Sequence, residues 1–320
     1  MKKLMIVLMA SVLFAVAPAL GGPLAKSQVS GSANWVVHTD YEQARNTQIG
    51  KLIRAELVNL GVTEKLENFA TVFSFHPIDD VCDVTIYGTG KDQKKAVILI
   101  EGQFDKERLL SLVRLNPEYE EIKHGDILVR GWVDENKRDE PTKGQMYGCF
   151  YNDDLIMLSA GLGTVKQAID VLNGSAENAA SGLCTQAVLN TKGAFFQVAA
   201  NAVNETVGDE PKAAALRQTK ELGLAVGENE GNFYVDLTLR AKSAEAAQNI
   251  NKVLGGIIGF ATLAGEEQPK LAELAKKLTL SCANDTVQIR FDSESEAVFE
   301  LLKEQWKRKA IKVEVEVAAP

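Results

Sequence analysis

The chain has 320 residues, and 46% of them are hydrophobic, which is enough for packed cores and argues against a disordered protein. Its net charge is −8, from 35 Lys and Arg against 43 Asp and Glu. An acidic surface with well-mixed charges does not favour binding to nucleic acid or anionic lipid, because phosphate groups bind to positive patches.

The first residues have the pattern of a secretory signal peptide. Lys2 and Lys3 precede a short apolar run, residues 4–16, and Ala17-Pro18-Ala19 fits the small-x-small rule for cleavage. A retained anchor helix is the alternative, but the run is short for a bilayer. We therefore expect a signal peptide over residues 1–19 and an exported, soluble, periplasmic or extracellular product with no transmembrane segment after cleavage.

The first half predicts alternating strands and helices. Residues 34–38 (NWVVH) predict a strand, and a helix with one apolar face follows and stops at Gly61. Strands are predicted at 70–75, 82–88 and 96–102, helices at 105–116 and 164–174, and hairpins at 119–133 and 145–161.

A stretch rich in Gly, Ser, Ala and Asn, residues 173–182, is the best candidate for a linker. After it, strands are predicted at 194–200, helices at 210–222, 243–265, 270–278 and 295–309, and hairpins at 222–241 and 279–291. The tail alternates apolar residues with charges, so it predicts a last strand of its own sheet or a strand added to a partner's sheet edge.

The two halves resemble each other. Residues 152–172 and 284–302 each contain an Asn-Asp turn, an alternating strand and a helix with a capping-box pattern, Thr164 with Gln167 and Ser293 with Glu296. The first half is longer, most simply by a hairpin within residues 123–144. A chance recurrence of a common hairpin–helix pattern is the alternative to a duplication.

This organisation predicts an α+β fold with two tandem, duplicated domains, each a mainly antiparallel sheet with helices packed on one face. The predicted segments are the signal peptide (1–19), the first domain (20–172), a linker (173–192), the second domain (193–309) and a C-terminal strand or tail (310–320).

Four cysteines, Cys82, Cys149, Cys184 and Cys282, leave the redox state open. Export permits disulfides, and four cysteines allow three pairings among which the sequence does not choose. Cys82 and Cys282 alternate in phase with apolar strand residues, so buried free thiols are the alternative.

Residues 34–42 bring His38, Asp40, Tyr41 and Glu42 together, as a metal or acid–base site would. However, Thr39 and Glu42 have the spacing of a capping box before an amphipathic helix. The sequence lacks His-x-x-x-His and Cys/His ligand spacings, so we predict no metal site and assign these residues a structural role.

Two other polar stretches are more typical of turns than of metal-binding or catalytic sites. Residues 76–83 contain three aspartates that could hold Ca²⁺, but the EF-hand spacing is absent, which favours a solvated turn. Residues 87–92 (YGTGKD) lie between two predicted strands, where a hairpin turn is expected.

Nucleophile and nucleotide motifs are missing, so no catalytic residue or cofactor is predicted. Paired carboxylates of a glycosidase stay open because their pairing is spatial.

The segment 253–265 is free of charge and contains Gly255, Gly256 and Gly259. Each glycine weakens a helix by up to about 1 kcal/mol, which suggests close packing against another backbone. The segment is therefore either a buried core helix or an apolar surface for a lipid tail or partner. In the second case Ile257, Ile258, Phe260 and Leu263 would be the contact residues.

The segments "WVVHTDYEQARNTQIGKLI", "YG…VILIEGQFD" and "LTLRAKSAEAAQNI" resemble a loose group of uncharacterised exported proteins of planctomycetes and related bacteria. The resemblance implies no catalytic residue. We expect a non-enzymatic binding or structural protein of the cell envelope, whose partner is an unknown protein or apolar ligand. A carrier of an apolar or lipid ligand and a carboxylate-dependent hydrolase of envelope polymers are the alternatives.

Overall fold

The computed structural model describes residues 22–134, 144–181, 191–201, 203, 217–263 and 269–318. The strands are β1 Trp35–Asp40, β2 Val81–Gly88, β3 Ala96–Gly102, β4 Glu120–His124, β5 Ile127–Val133, β6 Gln145–Phe150, β7 Leu155–Ser159, β8 Ala194–Asn201, β9 Thr219–Asn229, β10 Asn232–Ala241, β11 Leu278–Ala283 and β12 Thr286–Glu294. The α-helices described are α1 Tyr41–Asn46, α2 Gln48–Asn59, α3 Val62–Phe73, α4 Lys106–Val113, α5 Leu162–Leu172, α6 Ala244–Leu263, α7 Pro269–Lys276 and α8 Ser295–Ala318.

All twelve strands of the described residues belong to one antiparallel sheet, in the order β11-β12-β10-β9-β8-β1-β2-β3-β7-β6-β5-β4. The α+β class and the antiparallel pairing are therefore confirmed. The two halves meet at the centre of the sheet, where β1 pairs with β8 and Val37 lies opposite Val198. The halves thus share one continuous sheet through a long ladder of backbone hydrogen bonds.

The strand order of the two halves is the same when the β4–β5 hairpin is set aside. That hairpin lies where the sequence predicts the extra length. The helices that end the two halves differ, however, because α5 and α8 pack on opposite faces of the sheet. A duplication is not confirmed by this arrangement and stays a prediction.

Helices cover both faces of the sheet in the first half, which corrects the prediction of one face for that half, whereas the described helices of the second half lie on one face, as predicted. On the face of α5, Leu99 and Met157 pack against Val165 and Ile169. Strand residues of the opposite parity point the other way: Leu239 packs against Ile250 of α6, and Phe233 belongs to the cluster that packs against Phe299 of α8. We call these two sides the α5 face and the α6 face. Strands covered on both sides need apolar residues at successive positions, as in "AVILI" of β3.

Three predicted segments need correction or lie outside the described residues. Residues 70–75, predicted as a strand, belong mostly to α3, because Val62, Leu66, Phe69 and Phe73 recur at helical spacing. The tail predicted as a strand continues α8 through Ala318. Most of the helix predicted at 210–222 falls on residues that are not described, and its end belongs to β9.

Glu56, the charged residue on the apolar face of α2, is explained by tertiary structure. Its side chain is buried, and its Oε2 lies 2.8 Å from Nζ of Lys303 on α8. A buried carboxylate is tolerated when it is paired in this way.

Cys149 and Cys282 are free thiols, and burial raises the pKa of Cys149 to about 12. Cys184 lies outside the described residues. Among the described helices, none combines the length and apolar character needed to cross a membrane.

Candidate functional site

His38 is a buried structural residue of β1. Its Nδ1 lies 2.9 Å from the hydroxyl oxygen of Thr85, and its Nε2 lies 3.0 Å from the carbonyl oxygen of Gly22. Because a carbonyl only accepts, Nε2 carries the proton and the Thr85 hydroxyl donates to Nδ1. Burial lowers the pKa of His38 to about 4, so the ring is neutral at pH 7. Both nitrogens are used by the protein, which supports the structural interpretation.

The helix start next to His38 lies one residue later than the capping box predicted. Asp40, not Thr39, is the N-cap of α1, and its Oδ1 accepts from the Gln43 N–H at 2.7 Å. The helix also breaks after six residues, because Thr47 starts α2 by accepting from the Gly50 N–H at 3.1 Å. The predicted single helix is therefore two short helices, each with its own polar cap.

Asp40, Asp83 and Glu101 form an acidic row across β1, β2 and β3, where each lies opposite the next in register. Burial raises the pKa of Asp83 to about 8, and the negative charge of Glu101 adds to the effect. Burial also raises the pKa of Glu101, and the two carboxyl groups share a hydrogen bond. Asp83 therefore holds a proton and donates it towards Glu101.

Sequence reasoning missed this pair, since it placed Asp83 in a solvated turn. The turn itself is confirmed for the two preceding aspartates: Asp79 pairs with Arg54 at 3.3 Å, and Asp80 accepts from the His76 N–H at 2.6 Å. Alternation in β2 would have shown that Asp83 shares a face with buried Thr85. Among the described residues no group of His, Cys, Asp and Glu could hold a metal ion.

An apolar cavity of about 340 Å³ lies on the α6 face, between the first half of the sheet and helices α3 and α4. We call it the aromatic cavity. Its wall includes the side chains of Phe69, Phe73, Phe75, Leu109, Trp132 and Leu158. Rings from the α3 side contact one another, with centroid distances of 4.3 Å for Phe69–Phe73 and 5.3 Å for Phe69–Phe75. Such a wall can bind apolar chains or rings.

Arg130 is the charged residue of the aromatic cavity. Its Nε is buried and has no hydrogen-bond partner among the described residues, although it lies 3.8 Å from Oε1 of Glu121. Nη1 donates to the carbonyl oxygen of Leu128 at 3.0 Å. The guanidinium is therefore largely buried at the edge of this apolar wall, with its Nε directed to the carboxylate of Glu121.

A second cavity, of about 530 Å³, lies on the α5 face, at the start of α5. We call it the polar cavity. Its wall includes Ser30, Tyr87, Lys94, Lys95, Thr164 and Gln167. The turn of residues 87–92, predicted only as a connection between strands, contributes Gly88, Thr89 and Asp92 to this wall.

The start of α5 corrects the predicted capping box of Thr164 and Gln167. Gly161 occupies the N-cap position without a side-chain cap, and the Thr164 hydroxyl donates instead to the carbonyl oxygen of Lys94. A Cβ on Gly161 would lie 2.3 Å from that same oxygen, so only glycine allows this approach. The Lys94 turn and the helix start are therefore held together.

The C-terminal half of α6 is exposed, not buried. Ile257, Phe260 and Leu263 are 60%, 77% and 82% exposed, while Ile258 is partly buried. A Cβ on Gly256 or Gly259 would meet nothing within 4 Å, so the predicted close backbone packing is wrong at these positions. The exposed residues form an apolar stripe on the helix surface.

No protein-family model matches the chain, and no curated protein matches it. Crystal structures of the Treponema protein TP0453 resemble this chain loosely. Crystal form III has a TM-score of 0.48 and 9% sequence identity, covering 88% of this chain and 98% of that chain. Form IV has a TM-score of 0.45 and 9% identity, covering 88% and 96%, and form I has 0.41 and 7%, covering 91% and 98%. This is a loose structural resemblance to a Treponema protein, and it gives no support to the resemblance to planctomycete proteins.

Proposed function

We propose that the protein is an exported, non-enzymatic binding protein of the cell envelope, and that it holds the apolar part of a small ligand in the aromatic cavity. The single observation that carries the proposal is this cavity of about 340 Å³ with its aromatic and aliphatic wall. Small-molecule sites usually have volumes of ~300–1,000 Å³ and mostly apolar walls. A cleft of this size with large apolar side chains in its wall is a typical binding surface, because exposed apolar patches usually mark interaction sites.

Arg130 narrows the chemistry of the ligand. A guanidinium next to an apolar wall, 3.8 Å from the carboxylate of Glu121, would pair with a ligand whose apolar chain ends in an anionic group that displaces Glu121. A fatty acid is the simplest molecule of this kind. Its chain would pack against Phe69, Phe73 and Trp132, and its carboxylate would compete with Glu121 for Arg130.

The test uses the mature protein and a series of saturated fatty acids of increasing chain length. Trp132 lines the cavity, so its fluorescence should change saturably with one equivalent of ligand, and a Trp132→Phe variant should lose that signal. Leu109→Trp fills the cavity and should weaken binding by at least about tenfold, or 1.4 kcal/mol. Phe260→Asp, on the exposed stripe of α6, is the control and should bind like the wild type.

The variant Arg130→Gln distinguishes the contribution of the ligand's anionic group to binding from that of its apolar chain. It should weaken binding of the acid while leaving binding of the corresponding methyl ester unchanged. Native mass spectrometry of protein purified from its own host checks for a co-purifying lipid. If no fatty acid gives a saturable signal, or if Leu109→Trp binds as tightly as the wild type, the proposed function is refuted.

A further inference from the structure

The start of α5 offers free backbone donors to the polar cavity. No side chain caps this end of the helix, and the N–H groups of Leu162 and Gly163 form no hydrogen bond within the described part of the chain. Gly163 belongs to the wall of the polar cavity, and a Cβ there would meet nothing within 4 Å, so the cavity is open beside this end of the helix. The positive end of the helix dipole faces the same space and favours an anion there.

Tyr87 gives an independent indication that a ligand belongs in this cavity. Its side chain is 3% exposed and contributes to the cavity wall. Its hydroxyl is buried and has no hydrogen-bond partner among the described residues. An unpaired buried hydroxyl costs about 1–3 kcal/mol, which a ligand atom in the cavity would offset. Burial raises the pKa of Tyr87, so the hydroxyl keeps its proton and can donate.

The charged residues of the wall are two lysines and one aspartate, which sum to a net positive charge. Lys94 and Lys95 supply two ammonium groups, and neither forms an ion pair with a described residue. Asp92 is the carboxylate of the wall, and its Oδ1 accepts from the backbone N–H of Lys94 at 3.0 Å. Hydroxyls of Ser30 and Ser32, 3.0 Å apart, complete the polar side.

We propose that the polar cavity binds a small ligand through a phosphate group, which contacts the start of α5, the ammonium groups of Lys94 and Lys95, and the Tyr87 hydroxyl. The Lys94 turn and the helix start are held together before binding, because the Thr164 hydroxyl donates to the carbonyl oxygen of Lys94 and Gly161 allows the close approach. This site is independent of the aromatic cavity, which lies on the opposite face of the sheet. A free phosphate ester and a phospholipid headgroup present the same group to it.

Isothermal titration calorimetry at constant ionic strength, with chloride as the reference anion, tests the site. Inorganic phosphate and glycerol 3-phosphate are the probes for a free ester, and phosphatidylglycerol vesicles are the probe for a headgroup. The double variant Lys94→Gln/Lys95→Gln should weaken binding by at least about tenfold. Lys91→Gln is the matched control, because Lys91 is exposed in the same connection but is not part of the wall.

Tyr87→Phe supplies the second variant. It removes a buried hydroxyl without a partner, so it should keep or raise the melting temperature of the free protein while weakening phosphate binding severalfold. A purely structural tyrosine would change the melting temperature alone.

Saturable binding of glycerol 3-phosphate supports the proposal with a free ester as the source. Binding to vesicles that the double variant loses supports it with a headgroup as the source. If neither probe binds beyond the chloride reference, or if Lys91→Gln loses as much affinity as the double variant, the proposal is overturned.

Discussion

Replacing Asp83 by Asn should leave the stability at pH 4 unchanged and remove the loss of stability that the wild type shows as pH rises. Asp83 is buried beside Glu101, and its carboxyl is kept protonated in the folded protein. Asn has nearly the same shape, can donate to Glu101 as the protonated acid does, and carries no titrating group. The variant therefore preserves the contact while removing the ionisation.

The sign and size follow from the pKa of Asp83, which burial raises from 3.8 to about 8. A group whose pKa is higher in the folded state contributes stability in full below its unfolded pKa, and that contribution is lost as pH rises through the folded pKa. The loss therefore runs from about pH 4 to about pH 8. At 1.36 kcal/mol per pKa unit the upper limit is about 6 kcal/mol, and relaxation around the pair reduces it to about 2–5 kcal/mol.

Urea unfolding at pH 4, 6 and 8.5 measures this effect. Asp83→Asn should match the wild type at pH 4 and be more stable by about 2–5 kcal/mol at pH 8.5. His38, whose pKa is lowered by burial to about 4, loses its contribution as pH falls from 6.5, but it does so in both proteins and cancels in the difference. Glu101→Gln should act in the same direction, and the double variant should show less than the sum. Parallel pH profiles for wild type and Asp83→Asn would show that the pair does not hold the proton.

Three further variants test local geometry. Thr47→Ala removes the cap of α2 and should lower the free energy of unfolding by about 1–2 kcal/mol. Thr39 caps no helix, so Thr39→Ala should lower it by less than about 0.5 kcal/mol. Equal losses for the two variants in urea unfolding would contradict this assignment of caps. Gly161→Ala should lower the free energy of unfolding by about 1–3 kcal/mol, because its Cβ would lie 2.3 Å from the Lys94 carbonyl oxygen. Gly163→Ala, where the added Cβ meets nothing, should leave the free energy of unfolding unchanged or raise it. An unchanged stability of Gly161→Ala would refute the close approach. Phe260→Asp, at a position 77% exposed, should reduce binding of a hydrophobic dye with less than about 0.5 kcal/mol change in stability, and a loss of several kcal/mol would mean that the stripe on α6 is buried.

The sequence predicted most strands and hairpins correctly, because alternation and turn residues lie within the elements that they specify. The turn at Asn284, with φ of 52°, and the turn at Gly125, with φ of 58°, are placed by residues that tolerate positive φ. Alternation in β5 and β12 and the helical spacing in α5 were similarly clear. Residues 70–75 misled the prediction because Val72, Phe73 and Phe75 favour strands locally, while Leu66 and Phe69 upstream continue a helix.

The candidate sites could not be predicted to the same extent, because each is formed by residues from segments that are distant in the sequence. The aromatic cavity joins α3, α4 and strands β3, β5, β6 and β7, and nothing in the spacing of Phe69 and Trp132 shows that they meet. The acidic pair of Asp83 and Glu101 depends on the register between β2 and β3. The polar cavity uses "YGTGKD", whose role as part of a wall depends on where α5 begins. The sequence showed the exposed stripe of α6 as an uncharged segment. Whether that segment is exposed depends on how other elements pack around it, which the segment itself does not show.

The continuous sheet makes a further prediction about the two halves. If residues 20–181 and 191–320 are expressed separately, β1 and β8 become open edges. Of the two natural edge strands, β4 carries Glu120, Glu121 and Lys123, which protect it against pairing with other chains, and β11 is short, with six residues. β8 has no charged residue, and β1 has one acidic residue at its end. Each half alone should therefore aggregate or self-associate, and mixing them should restore a 1:1 complex, as measured by size-exclusion chromatography with light scattering. Two halves that stay monomeric and folded on their own would show that the β1–β8 ladder joins independent domains, and that the division predicted from the sequence is the physical one.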